Sequence, residues 1–293
     1  MPSFALVTKT YHGDIQPFTD LCKSIDQLMP DIQHYVLIDH ADTEAFASFA
    51  GPKRTIVDCS QLLPELRETQ LLGRRFWRLG FARIIRGWIY QQIAKIAFVA
   101  DMEEDAAIHL DSDVTLLRAI KAKHVFPNGN VRLYHQPGGG MGPRHLEWHK
   151  MSQKMLGLPQ TGYGGSDYIG PIITWSPGVI RAMIDRIVAS NHRDWVHVLA
   201  SHFRFSEYIV YGIFCDHVVG EHQQLIAQSS TQYCHNCWGY DLGSQSEVER
   251  FIDDLQADHL GVLIQSNLHL PEQTRRSILH RTKEQASLLE ADQ

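Results

Sequence analysis

Asp111-Ser112-Asp113 follows directly on a short apolar run, Ala106 to Leu110. A run apolar but for His109 reads as a strand covered on both faces. In an open parallel sheet, ligands gather outside the carboxyl ends of such strands. Carboxylates at i and i+2 of an extended segment project to the same side. Oxygen donors of this kind suit Mg²⁺ or Mn²⁺. An ion so held keeps open positions that phosphate oxygens fill, and it stabilises negative charge as it builds on a leaving diphosphate. The plain alternative is a cap, with Asp113 turning the chain into a helical turn over Thr115 to Ala119.

The elements that must position this pair are readable upstream. Ser3 to Thr8 predicts a buried strand. Asp14 is placed as the N-cap of a helix over Ile15 to Met29, carried by Phe18, Leu21, Ile25 and Leu28. His34 to Ile38 predicts a second strand ending at Asp39, Asp42 caps a short helix to Ala50, and Arg54 to Val57 predicts a third strand. A polar, basic loop follows, then a helix over Arg83 to Val99 that feeds the Ala106 strand. Strand–helix alternation of this kind predicts an α/β fold with a mostly parallel sheet and helices on both faces.

The second half is less regular. Val131 to His135, Ile172 to Trp175 and Gly261 to Gln265 read as strands. Arg144 to Leu156, Pro177 to Ala189, Ser206 to Cys215 and Pro271 to Leu289 read as helices. Gly-rich loops lie at Gln136 to Pro143 and Gly162 to Ser166. No linker separates the halves, so 1–125 and 126–293 are expected to form one continuous domain with a smaller lobe in the second half.

Six arginines lie between Arg67 and Arg86, with Glu68 the single acid in that span. Arginine suits bidentate phosphate contacts. Arg74 and Arg75 are therefore candidates for a diphosphate or another anion, against the alternative of a solvated basic face. Gln91 and Lys95, four apart, share one helix face.

Several segments together carry a resemblance: Ala5-Leu6-Val7-Thr8-Lys9-Thr10, Tyr35-Val36-Leu37-Ile38-Asp39, Gly87 to Ile96, His109-Leu110-Asp111-Ser112-Asp113, and Ser206-Glu207-Tyr208-Ile209-Val210-Tyr211-Gly212. Over roughly residues 3 to 270 the chain resembles the nucleotide-sugar glycosyltransferases of the GT-A fold. It is most similar to a bacterial family found among surface-polysaccharide genes. The resemblance implies a nucleotide-sugar donor, a UDP-sugar, bound with Mn²⁺ or Mg²⁺ on Asp111 and Asp113. Thr8, Lys9 and Thr10, with Asp39 and Ser112, would hold the nucleotide. Gln91 and Lys95 would reach sugar hydroxyls or phosphate. The acceptor would be a glycan or glycolipid.

An inverting transfer needs a general base for the acceptor hydroxyl. Glu207 opens a helix with Ser206 as N-cap, where the helix field favours an ionised carboxylate. Asp167 is second and Asp216 third. Tyr163 and Trp238 are candidates for stacking on sugar rings. The resemblance also implies a third metal ligand from the C-terminal part, His269 or else His235.

Composition sets outer bounds. In 293 residues, 44% are apolar and 20% charged, which excludes intrinsic disorder. The net charge of −6 argues against general nucleic-acid binding. No apolar run approaches the roughly 20 residues of a membrane span, and the opening residues carry no signal-peptide pattern. A cytoplasmic protein is the expectation, with peripheral contact at the inner membrane left open. Of five cysteines, Cys234 and Cys237 form a single CxxC, expected as reduced thiols rather than a zinc or redox site. A nucleotidyltransferase or sugar-phosphate transferase is a second reading, although only Gly13 follows the first strand where those enzymes use a glycine-rich loop. A non-catalytic glycan-binding protein is a third.

Overall fold

The apolar runs of the first half lie side by side. The computed structural model describes residues 2–71, 74–80, 83–219 and 226–291. The chain opens with β1 (Phe4–Lys9), α1 (Ile15–Leu28), β2 (His34–Ile38), α2 (Thr43–Phe46), β3 (Arg54–Asp58) and α3 (Cys59–Leu62). Next come β4 (Leu66–Leu71), β5 (Arg74–Leu79) and β6 (Arg83–Arg86), then α4 (Gly87–Ala100), β7 (Ala106–Leu110), β8 (Val114–Leu116) and α5 (Ala122–Val125). The second half adds β9 (Val131–Tyr134), β10 (Gln136–Pro137), α6 (Pro143–Met155), β11 (Ser166–Asp167), β12 (Ile172–Trp175), α7 (Pro177–Asn191), α8 (Trp195–Ala200) and α9 (Glu207–Phe214). The last elements are β13 (Ile226–Ser229), β14 (Cys234–Asn236), α10 (Gln245–Asp253), β15 (Gly261–Leu263) and α11 (Glu272–Ala291).

The central sheet runs in the order β12-β7-β1-β2-β3. β1, β2, β3 and β7 are parallel, and β12 from the second half closes the edge antiparallel to β7. Successive side chains of a strand point to opposite faces, and here both faces are buried. Ala5, Val7 and Leu37 enter one core with α4, α7 and α9 around Trp175. Leu6, Val36 and Ile38 enter the other with Phe18 of α1 and Phe46 of α2. That two-sided burial is why the strands read as mostly apolar runs. A third, smaller core holds α10 and α11 against the β14-β15-β8 sheet through Phe251, Val262 and Ile278.

Three readings are corrected. The basic stretch after β3 is not a loop: β4, β5 and β6 form a three-stranded antiparallel sheet. The following helix starts at Gly87, because Arg83 to Arg86 belongs to that sheet. Its side chains alternate between buried and exposed over β5 and β6, with Trp77, Leu79 and Ile85 turned inward. Nor does Asp113 start a helical turn, since Val114–Leu116 is a strand paired with β15.

Candidate active site at the end of the central sheet

The chain runs from β1 outward to β2 on one side and returns to β7 on the other. The strand order therefore reverses between β1 and β7, and the crevice outside their carboxyl ends is where such sheets bind ligands. Asp14 stands past the end of β1, and Asp111-Ser112-Asp113 past the end of β7. The Ser112 hydroxyl donates to Asp14 Oδ2 at 2.9 Å, which ties the two loops together across the crevice. Asp14 is thus not the side-chain cap of α1 that its position suggests. Its other oxygen, Oδ1, is buried and has no hydrogen-bond partner.

Asp111 and Asp113 sit in a crowded field. Burial pushes the Asp111 carboxyl up to about 7; Lys95 pulls the other way, while Asp113, Glu207 and Asp14 add to the rise. Burial also raises Asp113, against the backbone N–H of Ser266, which donates to its Oδ2 at 3.0 Å. Tyr11, 40% exposed, borders the same crevice; burial and the charges of Asp14 and Asp113 raise its phenol. Gly13 leaves room for the Tyr11 ring, because a Cβ there would overlap it.

On the far side, Lys95 of α4 donates to Glu207 Oε1 at 2.9 Å and to the Tyr208 hydroxyl at 3.0 Å. Burial works against the ammonium, but Glu207, Tyr208 and Asp111 outweigh it and hold it firmly protonated. Glu207 opens α9, yet Ser206 makes no side-chain cap. Gln92 of α4 does that work instead, its Oε1 accepting the Glu207 backbone N–H at 2.9 Å.

The donor set suits a hard divalent ion: two adjacent carboxylates, with the unpartnered Asp14 Oδ1 beside them. Among the described residues, no three His, Cys, Asp or Glu side chains group closely enough to hold a metal alone. An ion here would complete its shell with water or phosphate oxygens. His269 is not gathered with the two aspartates; it is exposed and left-handed at φ 49°, ending the short turn Ser266–Leu268. His235 is also spent elsewhere, its Nε2 2.6 Å from the Phe251 carbonyl and its ring stacked on Phe251.

Other anticipated residues divide. Thr8 is wholly buried and shares a hydrogen bond with His34, so it is a core residue. Lys9 and Asp39 form a buried ion pair at 2.7 Å, each satisfying the other beneath the crevice. Thr10 is buried with an unpartnered hydroxyl. Arg75 turns inward to Asp42 at 2.9 Å and to His12, bracing the loop that carries Tyr11. Arg74, next along β5, is exposed on the opposite face. Gln91 is half-buried one turn before Lys95 on α4. Asp167 lies on the β10–β11 ribbon, accepting from the Tyr168 and Ile169 backbone N–H groups. Asp216 accepts from the Tyr168 hydroxyl at 2.5 Å and from Gln228 at 2.8 Å. The Tyr163 hydroxyl donates to the Gly139 carbonyl, and Trp238 is about half exposed.

A family model matches residues 3–284, nearly the whole length. This chain belongs to the DUF6492 family. The family is described as one of unknown function. No curated protein matches this DUF6492 chain. Among solved structures it is similar to the glycosyltransferase GlyE of Streptococcus pneumoniae TIGR4, at 13% identity and a TM-score of 0.49. That likeness covers 96% of this chain and 60% of GlyE, so the DUF6492 chain spans less than two thirds of that protein. It is also similar to the galactosyltransferase LgtC in complex with donor and acceptor sugar analogues, at 12% identity and a TM-score of 0.46, covering 97% and 96% of the two chains.

Three residues of the DUF6492 site escape a reading of the sequence. Tyr11 and Gly13 form one unit, for which an aromatic two residues before a glycine at a strand end is a weak signal. Gln92 sits on a helix face that its apolar neighbours mark as core, and a buried glutamine there is the available clue.

Proposed function

We propose that this DUF6492 protein is a metal-dependent glycosyltransferase. In this reading it moves a sugar from a nucleotide-sugar donor, a UDP-sugar, to a glycan or glycolipid acceptor in surface-polysaccharide synthesis. The observation that carries the reading is the placement of Asp14, Asp111 and Asp113 at the reversal point between β1 and β7, joined by the Ser112–Asp14 hydrogen bond.

Asp111 and Asp113 would hold Mn²⁺ or Mg²⁺, with water or phosphate oxygens completing the shell. When bound, the ion neutralises charge on the departing diphosphate. The Tyr11 ring offers the base a face to stack on. Lys95 balances the carboxylates, and its bond to Glu207 fixes the place of that carboxylate at the start of α9. Glu207 then takes the proton of the attacking acceptor hydroxyl, an inverting displacement. Asp167, further out on the Gly-flanked ribbon, is the alternative base.

Calorimetric titration with UDP, GDP and CDP, each with and without Mn²⁺, tests the reading. Binding of one nucleotide that requires the ion, and that is lost in both Asp111→Ala and Asp113→Ala, is the expected outcome. Turnover of the matching nucleotide-sugar then separates an enzyme from a glycan-binding protein. A folded sample that binds no nucleotide with any ion would sink the proposal.

A further inference from the structure

The β4–β5–β6 sheet has an inner and an outer face. Trp77, Leu79 and Ile85 point inward, and Glu68, opposite Trp77 in register, lies on that side. The outer face presents Arg67, Arg74, Arg78 and Arg86, all exposed, with Phe76 and Ile84 between them. The register makes this a pattern rather than a scatter. Arg67 lies opposite Arg78, Arg78 opposite Ile84, and Phe76 opposite Arg86. Four arginines gathered on one face, in a chain of net charge −6, make a local cationic surface on an acidic molecule. Ile84 is 47% exposed, and Trp88, at the start of α4 just beyond β6, is 45% exposed.

We propose that this outer face docks on an anionic phospholipid surface. Arginines spaced over a flat sheet meet headgroup phosphates, and each basic side chain near an anionic leaflet strengthens attachment about fivefold. Ile84 and Phe76 enter the acyl boundary between them, and Trp88 suits the interfacial layer, where an apolar ring with a polar edge is at home. A soluble polyanion would need the arginines but would gain nothing from the exposed isoleucine. The inference is independent of the transferase reading, because its readout is attachment and not turnover.

The test is cosedimentation of the full chain with vesicles of phosphatidylcholine alone and of phosphatidylcholine with phosphatidylglycerol, at low and at physiological salt. The chain is expected to pellet only with the anionic vesicles, less so as salt rises. The combined variant Arg67→Gln/Arg74→Gln/Arg78→Gln/Arg86→Gln should fall more than a hundredfold, to background. Ile84→Asp should weaken vesicle binding at least severalfold in a chain that still folds, as its cooperative thermal melt would show. No pelleting by the folded wild type, or equal pelleting by the four-arginine variant, would overturn the proposal. So would binding to soluble heparin as strong as to vesicles and insensitive to Ile84→Asp, which would reassign the face to soluble polyanions.

Discussion

Lys95 decides the charge balance at the end of the sheet. Its ammonium and Glu207 are both largely withdrawn from water, with side-chain exposures of 13% and 6%. Removing one member of a buried ion pair strands the other, at a cost of about 3–5 kcal/mol, whereas replacing both with apolar groups is often neutral. Lys95→Met should therefore lower stability by about 3 kcal/mol or more, because Glu207 would face Asp111 with no cation between them. Lys95→Met/Glu207→Leu should recover most of that loss. Urea unfolding of the two singles and the double gives the coupling directly. A double variant no more stable than Lys95→Met would show that Lys95 contributes through other partners, Tyr208 first among them.

At the scale of elements, α9 is positioned by what it lacks. Gly212 lies where any Cβ would overlap the Tyr168 ring, and the Tyr168 hydroxyl is itself held by Asp216. Alanine is the better helix former by about 1 kcal/mol, so an isolated helix would gain from Gly212→Ala. In this packing the overlap should dominate and the variant should lose about 1–3 kcal/mol, read as a lower urea midpoint with unchanged m-value. A gain in stability would mean that Tyr168 moves aside freely and does not fix α9. The same scale shows what the sequence makes legible. β1, β2 and β7 are evident because two-sided burial leaves three or four apolar residues in a row, as in Phe4 to Val7 and Tyr35 to Ile38, and an aspartate directly follows β2 and β7. The β4–β6 sheet is hidden because its only amphipathic signal is the alternation of Arg74, Phe76 and Arg78 with Trp77 and Leu79, and clustered arginine reads as a solvated loop. Asp14 marks the start of α1 correctly, but its carboxylate answers to Ser112, 98 residues away, which no local rule of capping contains. Gln92 as the cap of α9 is invisible for the same reason.

The whole molecule carries an acid sensitivity distributed over its cores. Burial holds His34 down to about 3, with the Arg54 guanidinium adding to the effect. Burial likewise lowers His149 and His259, each to about 4. The unfolded chain takes up protons at these histidines below about pH 6.5, while the native chain does not until near pH 4 at His149 and His259 and near pH 3 at His34. Their neutral burial therefore carries no penalty above pH 6.5, and each site removes up to about 1.4 kcal/mol of stability per pH unit below it. His34→Gln isolates one site, because the other titrating groups cancel between variant and wild type. At pH 7.5 the variant should be less stable by about 1–2 kcal/mol, having disturbed bonds to Thr8 and Arg54 that the imidazole makes at 3.0 Å each. At pH 5 the wild type has lost about 2 kcal/mol that the variant keeps, so the two urea midpoints should meet or cross. A gap that stays constant from pH 7.5 to 5 would mean that His34 is protonated in the folded chain, and that its place between β1 and β3 is held by charge instead of by exclusion of water.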